Sequence, residues 1–172
     1  VELEKGMNPD ISEFSYGYCL TEEIIKATPK GMKTTPYFPS LKKEGQQGGG
    51  YDVLLSSAGG PIFLQFKLSH PMVRKSAIEV QTKLFLPGVT FYRMPLRPLK
   101  HSPQHQLLLD LEKLGNSVYY AAPRFDRPYE LDEAYLQEEM IKRSIFFRPS
   151  QIGALPDPGP HHVSFPKVGN KG

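Results

Sequence analysis

Apolar and polar residues along this chain follow two periods, and these predict alternating helices and strands. Apolar spacing near 3.6 residues predicts helices over 11–26, 71–84, 103–114 and 130–143. Short apolar or alternating runs predict strands over 36–41, 50–55, 61–67, 89–94, 117–122 and 144–149. Alternation of this kind predicts an α/β fold: a single domain with a mixed β-sheet flanked by helices.

Two helices have particular sequence support. In the first, Ile11, Phe14, Tyr18 and Ile25 are spaced to form one apolar face, which we expect to be buried. The helix over 103–114 has a capping serine before it, a proline in its first turn and a glycine after it.

The domain boundaries follow from composition. We predict one domain over 7–155 and, over 156–172, an irregular Pro/Gly-rich tail with one short strand at 162–165. Residues 1–6 are interpreted as an added leader before a native start at Met7. The stretch 42–50, which ends in three glycines, predicts a mobile loop.

The strands over 50–55 and 61–67 predict a hairpin that carries an unusual set of polar residues. Gln65 and Lys67 are two apart and therefore point to one face, in a run that is otherwise apolar. A turn at 58–60 would bring Asp52 back beside them. Because an unpaired charge between buried strands is costly, this convergence predicts a functional site.

These residue types suit the hydrolysis of a phosphodiester with a divalent metal. Asp52 can supply the anionic ligand, Gln65 its amide oxygen and Phe66 its backbone carbonyl, since hard cations prefer oxygen. Lys67 can lie over the attacking water and offset charge on the phosphate. The metal expected is Mg²⁺ or Mn²⁺.

A further acid from the first helix could complete the metal shell. Glu13, Glu22 and Glu23 are all candidates, and the helical period does not decide between them. We include Glu23 in the predicted catalytic set, beside Asp52, Gln65 and Lys67. Glu44, in the glycine-rich stretch, is a further candidate that could close over a bound phosphate.

This pattern, Asp52 on one strand and Gln65-Phe66-Lys67 on the next, resembles the PD-(D/E)xK nuclease superfamily. Within the superfamily it resembles the Mrr-like variants, in which Gln replaces an acid. The resemblance covers about residues 11–95, and a longer pattern from Phe38 to Lys67 is similar to an uncharacterised bacterial family. It implies a restriction-endonuclease-like αβββαβ core with C-terminal αβ additions. It also implies a metal-dependent nuclease that acts on DNA more readily than on RNA, in restriction or phage defence.

Two features depart from the superfamily pattern. The residue before Asp52 is Tyr51, where the pattern has proline, and Gln65 removes one negative charge. The second departure lowers metal affinity and is compatible with a catalytically inactive relative. The small size of the chain favours a homodimer or a helper protein for target recognition.

Composition narrows the function classes only slightly. The net charge of +3 is mildly basic, and basic residues follow the hairpin at 67, 74, 75, 83, 93, 97 and 100. They could track a phosphate backbone or form a solvated face. No run of about 20 apolar residues and no signal peptide are visible, so we expect a cytoplasmic protein without membrane contact. The aromatic pairs at 119–120 and 146–147 are expected in the core.

Simpler interpretations of the same residues stay open. Asp52 after glycines could be a turn acid, and Gln65 with Lys67 could be the wet face of a half-buried strand. Lys67 could also form a purely structural ion pair with Asp52. Three functions therefore stand: a nuclease, an inactive protein of the same fold that binds nucleic acid or acts as a scaffold, and an unrelated interaction protein.

Overall fold

The computed structural model describes residues 8–167; the predicted leader, Met7 and the last five residues of the predicted tail lie outside this range. The helices are α1 Glu13–Ala27, α2 Leu41–Glu44, α3 Ile78–Gln81, α4 Gln104–Lys113, α5 Pro128–Leu136 and α6 Pro149–Ile152. The strands are β1 Val53–Ser57, β2 Gly60–Phe66, β3 His70–Met72, β4 Phe91–Leu96, β5 Ser117–Pro123, β6 Ser144–Phe147 and β7 His161–Pro166. Within 8–167, no helix has the length and apolar character needed to cross a membrane.

The strands form two sheets in a single α/β domain, rather than the one sheet that the sequence predicts. The larger sheet is mixed and has the order β1-β2-β5-β6, in which β2 and β5 are parallel and the outer pairs are antiparallel. The smaller sheet is antiparallel and has the order β3-β4-β7. The chain thus leaves the larger sheet after β2 and returns to it at β5, after α4.

Two apolar clusters lie on opposite faces of the larger sheet, because alternate residues of each strand point to opposite sides. On one face, Val53, Leu55 and Leu64 pack against Tyr16 and Leu20 of α1. On the other, residues of β2 and β5 pack against α4 and the smaller sheet; this cluster includes Phe63, Tyr92, Met94, Leu108, Val118, Tyr120 and Phe165. The aromatic pairs expected in the core are buried or packed against these clusters.

The buried face of α1 differs from the predicted one. Phe14 and Tyr18 are 82% and 59% exposed, whereas Tyr16 and Gly17 are buried. The reason is the close approach at Gly17, where an added Cβ would lie 2.5 Å from Cδ2 of Phe66 on β2. Because α1 docks on the sheet through Tyr16 and Gly17, Phe14 and Tyr18 are left on its exposed side.

The helix predicted over 71–84 is wrong. Pro71 lies in β3, an edge strand of the smaller sheet, where the absence of its N–H is tolerated. Only Ile78–Gln81 is helical, and Val73 and Leu84, which the helical spacing places on its apolar face, are exposed. The helix predicted over 130–143 ends at Leu136, and Glu138 then takes a positive φ of 53°.

Two other segments also differ from expectation. Over 36–41 there is no continuous strand but an isolated bridge, in which Tyr37 pairs with Leu54; flanking prolines limit further pairing. In the segment predicted to be irregular, the expected short strand is present and extends over β7. It pairs with β4 along six positions and buries Phe165, so it is an integral part of the smaller sheet.

Candidate active site

The hairpin of β1 and β2 brings Asp52 and Gln65 together. The register pairs Val53 with Leu64, and the Asp52 N–H donates to the Leu64 carbonyl at 2.8 Å, so Asp52 lies opposite Gln65. Oδ2 of Asp52 accepts hydrogen bonds from Nε2 of Gln65 and from the Phe66 N–H, both at 2.6 Å. The Phe66 N–H thus donates to a side-chain carboxylate, where the backbone ladder between β1 and β2 ends.

Gly50 fixes the approach of the chain to this point. It has a φ of +88°, and an added Cβ would lie 3.0 Å from the carbonyl oxygen of Gln104 at the start of α4. Gly49 and Gly50 are buried, so the end of the predicted loop is packed against α4. This packing places Gln104 beside the hairpin.

The side chains of Gln65 and Gln104 form a buried amide pair. Gln65 is 1% exposed, and its Oε1 accepts a hydrogen bond from Nε2 of Gln104 at 3.0 Å. Its Nε2 faces the Asp52 carboxylate and also donates to the Phe66 carbonyl at 3.0 Å. The sequence predicts the amide oxygen of Gln65 as a metal ligand; in the structure the amide nitrogen is the atom that contacts Asp52. Gln104 Oε1 is buried and has no hydrogen-bond partner in the described structure.

Lys67 directly follows the last residue of β2 and is buried. The residue is 5% exposed, and its backbone N–H donates to the Ala121 carbonyl of β5 at 2.9 Å. Its side chain lines a cavity of about 300 Å³ together with Glu13, His70 and Arg97. The interpretation of Gln65 and Lys67 as a solvent-exposed face is therefore wrong.

Glu13 is the acid of α1 that lies at this site. It occupies the first turn of α1, which Ser12 caps through a 2.9 Å hydrogen bond from the Ser15 N–H. Burial raises the pKa of Glu13 above its ordinary value, while the charges of Lys67 and Arg97 act in the opposite direction. The Glu13 side chain lines both the cavity of Lys67 and a second cavity that reaches Asp52.

Glu23, predicted as the catalytic acid of this helix, is not brought to the site. It is ten residues beyond Glu13, or about 15 Å along the helix, and its carboxylate accepts hydrogen bonds from the Met140 and Ile141 N–H groups at 2.6 and 3.1 Å. It therefore holds the turn that follows α5. Glu22 pairs with Lys26 at 2.7 Å. The side chain of Glu44 lies outside the described part of the structure.

The basic residues that follow the hairpin do not form one surface. Arg93 pairs with the buried Glu79 at 2.6 Å, and this guanidinium is the main cause that lowers the pKa of Glu79 to about 2. Arg97 is exposed and lines the cavity of Lys67. Only part of the predicted basic track thus lies at the candidate site.

Gln104 and the exposed α1 aromatic residues belong to the site region, and sequence analysis assigned them no role there. A glutamine at the start of a helix carries no sequence signal, because its contact with Gln65 joins residues 39 positions apart. Gly17 is the one available signal for the orientation of α1, since glycine in a helix interior costs about 1 kcal/mol relative to alanine.

A metal ion at the candidate site would have few acidic ligands. Among residues 8–167, no group of three or more His, Cys, Asp or Glu side chains could hold one. A site at Asp52 would therefore depend on amide and carbonyl oxygens. If the Gln65 amide is turned over, its oxygen takes the place of Nε2, 2.6 Å from Asp52 Oδ2 and 3.0 Å from the Phe66 carbonyl.

Those separations are close to the ~2.9 Å between neighbouring oxygen ligands of an octahedral Mg²⁺. The turned amide would also present its nitrogen to Gln104, whose partnerless Oε1 can accept it if that side chain turns as well. With both amides turned, the donor set would suit a hard divalent cation, which prefers oxygen ligands. Its single carboxylate at Asp52 predicts weak binding unless Glu13 or a substrate phosphate adds oxygens.

Comparisons with protein-family models, with curated proteins and with solved structures found no match to this chain.

Proposed function

We propose that this protein is a metal-dependent nuclease that hydrolyses phosphodiester bonds, with DNA as the favoured substrate. The observation that carries the proposal is the convergence of buried and partly buried polar groups where β1 begins and β2 ends. Asp52 and Gln65 are in contact there, and Glu13 lies between the cavities that reach Asp52 and Lys67. Gln65 and Lys67 are buried there beside the partly buried carboxylates of Asp52 and Glu13. Ionisable groups gathered beside a cavity in this way are typical of functional sites.

The order of elements supports the same proposal. Along the chain, α1 is followed by the bridging segment at Tyr37 and the short α2, then by β1 and β2. After β3, α3 and β4 come α4 and β5, and β5 is parallel to β2. This order is compatible with the αβββαβ core that the PD-(D/E)xK resemblance implies. In this interpretation β3, α3 and β4 are an insertion before α4, and α5, β6, α6 and β7 are C-terminal additions.

The proposed cofactor is Mg²⁺ or Mn²⁺, held by Asp52, the Gln65 amide oxygen and the Phe66 carbonyl. Bound there, the cation supplies Lewis-acid polarisation of the phosphoryl group and of water. Such ions are commonly held by one or two carboxylates and by substrate phosphate, which suits the small ligand set of this chain.

The other residues would position the substrate. Lys67 presents an ammonium group with three N–H donors, which can hold a phosphate oxygen in the cavity that it shares with Arg97. Glu13 lines both cavities, so it can accept a proton there or complete the ligand set beside Asp52. Its raised pKa makes it a better proton acceptor near neutral pH than an ordinary glutamate.

Plasmid cleavage with Mg²⁺ or Mn²⁺ tests this function. We expect wild type to cleave and Lys67→Ala to cleave at least about 100-fold more slowly. A loss of about 100-fold is the lower end of what removing a group that stabilises the transition state costs in rate. Lys142→Ala, which alters an exposed lysine in the turn after α5, is the control and should cleave normally. Circular dichroism checks that both variants fold. Equal rates for Lys67→Ala and wild type would reject the nuclease proposal.

One observation favours the alternative of an inactive nucleic-acid-binding or scaffolding subunit. The Gln65 nitrogen already satisfies the Asp52 carboxylate at 2.6 Å, without a cation. An inactive protein would bind DNA with the same affinity in EDTA and in Mg²⁺ and would not cleave it. A homodimer or a helper protein for target recognition is proposed with either function.

A further inference from the structure

A cleft with exposed aromatic walls lies directly beside the candidate site. It has a volume of about 510 Å³ and runs between α1 and the segment at Phe38 and Pro39. Its aromatic members are highly exposed: Phe14 at 82%, Tyr18 at 59% and Phe38 at 56%. Asp52 and Glu13 also line it, so the cleft is continuous with the proposed active site.

The placement of these aromatic residues has no explanation in packing. Phe14 and Tyr18 are four residues apart on α1 and therefore neighbour each other on its surface. Tyr16 and Leu20 already bury the face of α1 that meets the sheet. Three large aromatic side chains exposed around one concavity are typical of a surface that binds a flat or apolar ligand.

The neighbouring cavity differs in its charge: it carries cationic side chains beside four apolar residues, Leu68, Pro95, Leu96 and Pro98. Lys67, His70 and Arg97 line it, and Glu13 forms the wall that it shares with the aromatic cleft. A nucleotide has the same two-part chemistry: an anionic phosphate and a planar base with apolar faces. The two cavities share Glu13 in their lining, so a phosphate in one and its adjoining base in the other would lie on either side of this residue.

We propose that the aromatic cleft binds an unpaired nucleobase of a DNA strand whose phosphate lies beside Lys67 and Arg97. This inference rests on the proposed nuclease function and names its substrate class: single-stranded DNA, or a duplex with an unpaired end. A base inside a duplex is stacked on both faces, so it cannot enter the cleft without first leaving the helix. An unpaired base can stack on Phe14, Tyr18 or Phe38 without that cost.

Binding is measured in EDTA, where no cleavage occurs, with a fluorescent 12-nucleotide strand and with the matching duplex. We expect wild type to bind the single strand more tightly than the duplex. The double variant Phe14→Ala/Tyr18→Ala should lose about 10-fold or more in affinity for the strand and little for the duplex. Tyr129→Ala, which removes a tyrosine that is 68% exposed on α5, is the control and should bind as wild type.

Base stacking is monitored in the same samples with 2-aminopurine in the strand. We expect its fluorescence to fall on binding to wild type and to fall less with the double variant. Because Phe14 and Tyr18 are exposed, loss of fold is not expected, and thermal unfolding checks this.

The outcomes separate this inference from the nuclease proposal. Tight, quenched binding of the strand without any cleavage in Mg²⁺ supports the cleft and rejects the nuclease. Cleavage that prefers duplex DNA, with no effect of the double variant, supports the nuclease and rejects the cleft. Self-association of wild type that the double variant abolishes, with DNA affinity unchanged, would show that a second copy occupies the cleft and also rejects it.

Discussion

The Glu13 side chain is partly buried at the start of α1, where the charges of Lys67 and Arg97 act on its carboxylate. Desolvation is the dominant influence on it and raises its pKa, while Lys67 and Arg97 reduce that effect without cancelling it. A raised pKa in the folded state means that folding favours the protonated acid. The stability that protonation contributes is complete below the ordinary value of 4.5 and is lost as pH rises through the folded-state pKa.

This gives Glu13→Gln an expected pH dependence. Glutamine resembles the neutral acid at every pH, so the variant should unfold at a higher denaturant concentration than wild type at pH 7.5. The difference should disappear as pH falls to about 4.5, where the unfolded acid also becomes protonated. Urea unfolding in EDTA at several pH values measures it. Unfolding midpoints that stay parallel from pH 4.5 to 7.5 would contradict the proposed burial of charge.

Gln104 contacts Gln65, the proposed metal ligand, so we expect it to be a positioning residue for that site. Gln104→Leu removes the hydrogen bond to Gln65 Oε1 and the acceptor that a turned Gln65 would need. Partners of metal ligands commonly affect affinity by about 10- to 100-fold, and we expect a loss of Mn²⁺ affinity in that range. Isothermal titration with Mn²⁺ measures it.

Gln106→Leu is the matched control, because Gln106 is exposed on the same helix and bonds only Asp110 among the described contacts. It should bind Mn²⁺ as wild type does. If Gln104→Leu also binds normally while remaining folded, the amide pair has no part in holding the metal.

At the scale of elements, Gly17 determines where α1 lies against β2. Because its Cα approaches the ring of Phe66, the helix docks closely and its first turn reaches the site. Gly17→Ala would improve helix propensity by about 1 kcal/mol, but overpacking costs about 1–3 kcal/mol. The second effect is larger, so we expect lower stability and a displaced Glu13.

Chemical denaturation and cleavage together measure this effect. Gly45→Ala is the control, since an added Cβ there meets nothing within 4 Å. Phe66→Leu in the Gly17→Ala background should restore part of both stability and activity by making room for the methyl group. If Gly17→Ala is as stable as Gly45→Ala, the close approach does not determine the docking of α1.

Helices and strands were predictable from the sequence where turn and capping residues lie next to them in the chain. The β1–β2 hairpin follows from a glycine turn between apolar strands, and α4 from its flanking proline and glycine. The helix predicted over 71–84 was wrong because the apolar spacing of this segment matches a helix although most of it is not helical. Its first residues instead form β3, which pairs with β4, a strand about 20 residues further along the chain. Secondary structure there is decided by contacts that no short window contains.

At the scale of the molecule, the candidate site lies where the two sheets separate. The chain leaves the larger sheet after Phe66 and enters the smaller one at His70, and Lys67 lies between them. Polar side chains can gather at such a junction, because the sheets do not cover it completely. Both cavities beside Glu13 are found there.

The sequence by itself determined the juxtaposition of Asp52 and Gln65, because a short hairpin fixes its own register. It also determined the helix–strand alternation, which follows from local hydrophobic period. Only the tertiary structure decided that Glu13 rather than Glu23 lies at the site, that Gln104 contacts Gln65, and that Phe14 and Tyr18 face a cleft. Each of these depends on how α1 and α4 dock on the sheet, and docking is set by packing between residues far apart in the chain.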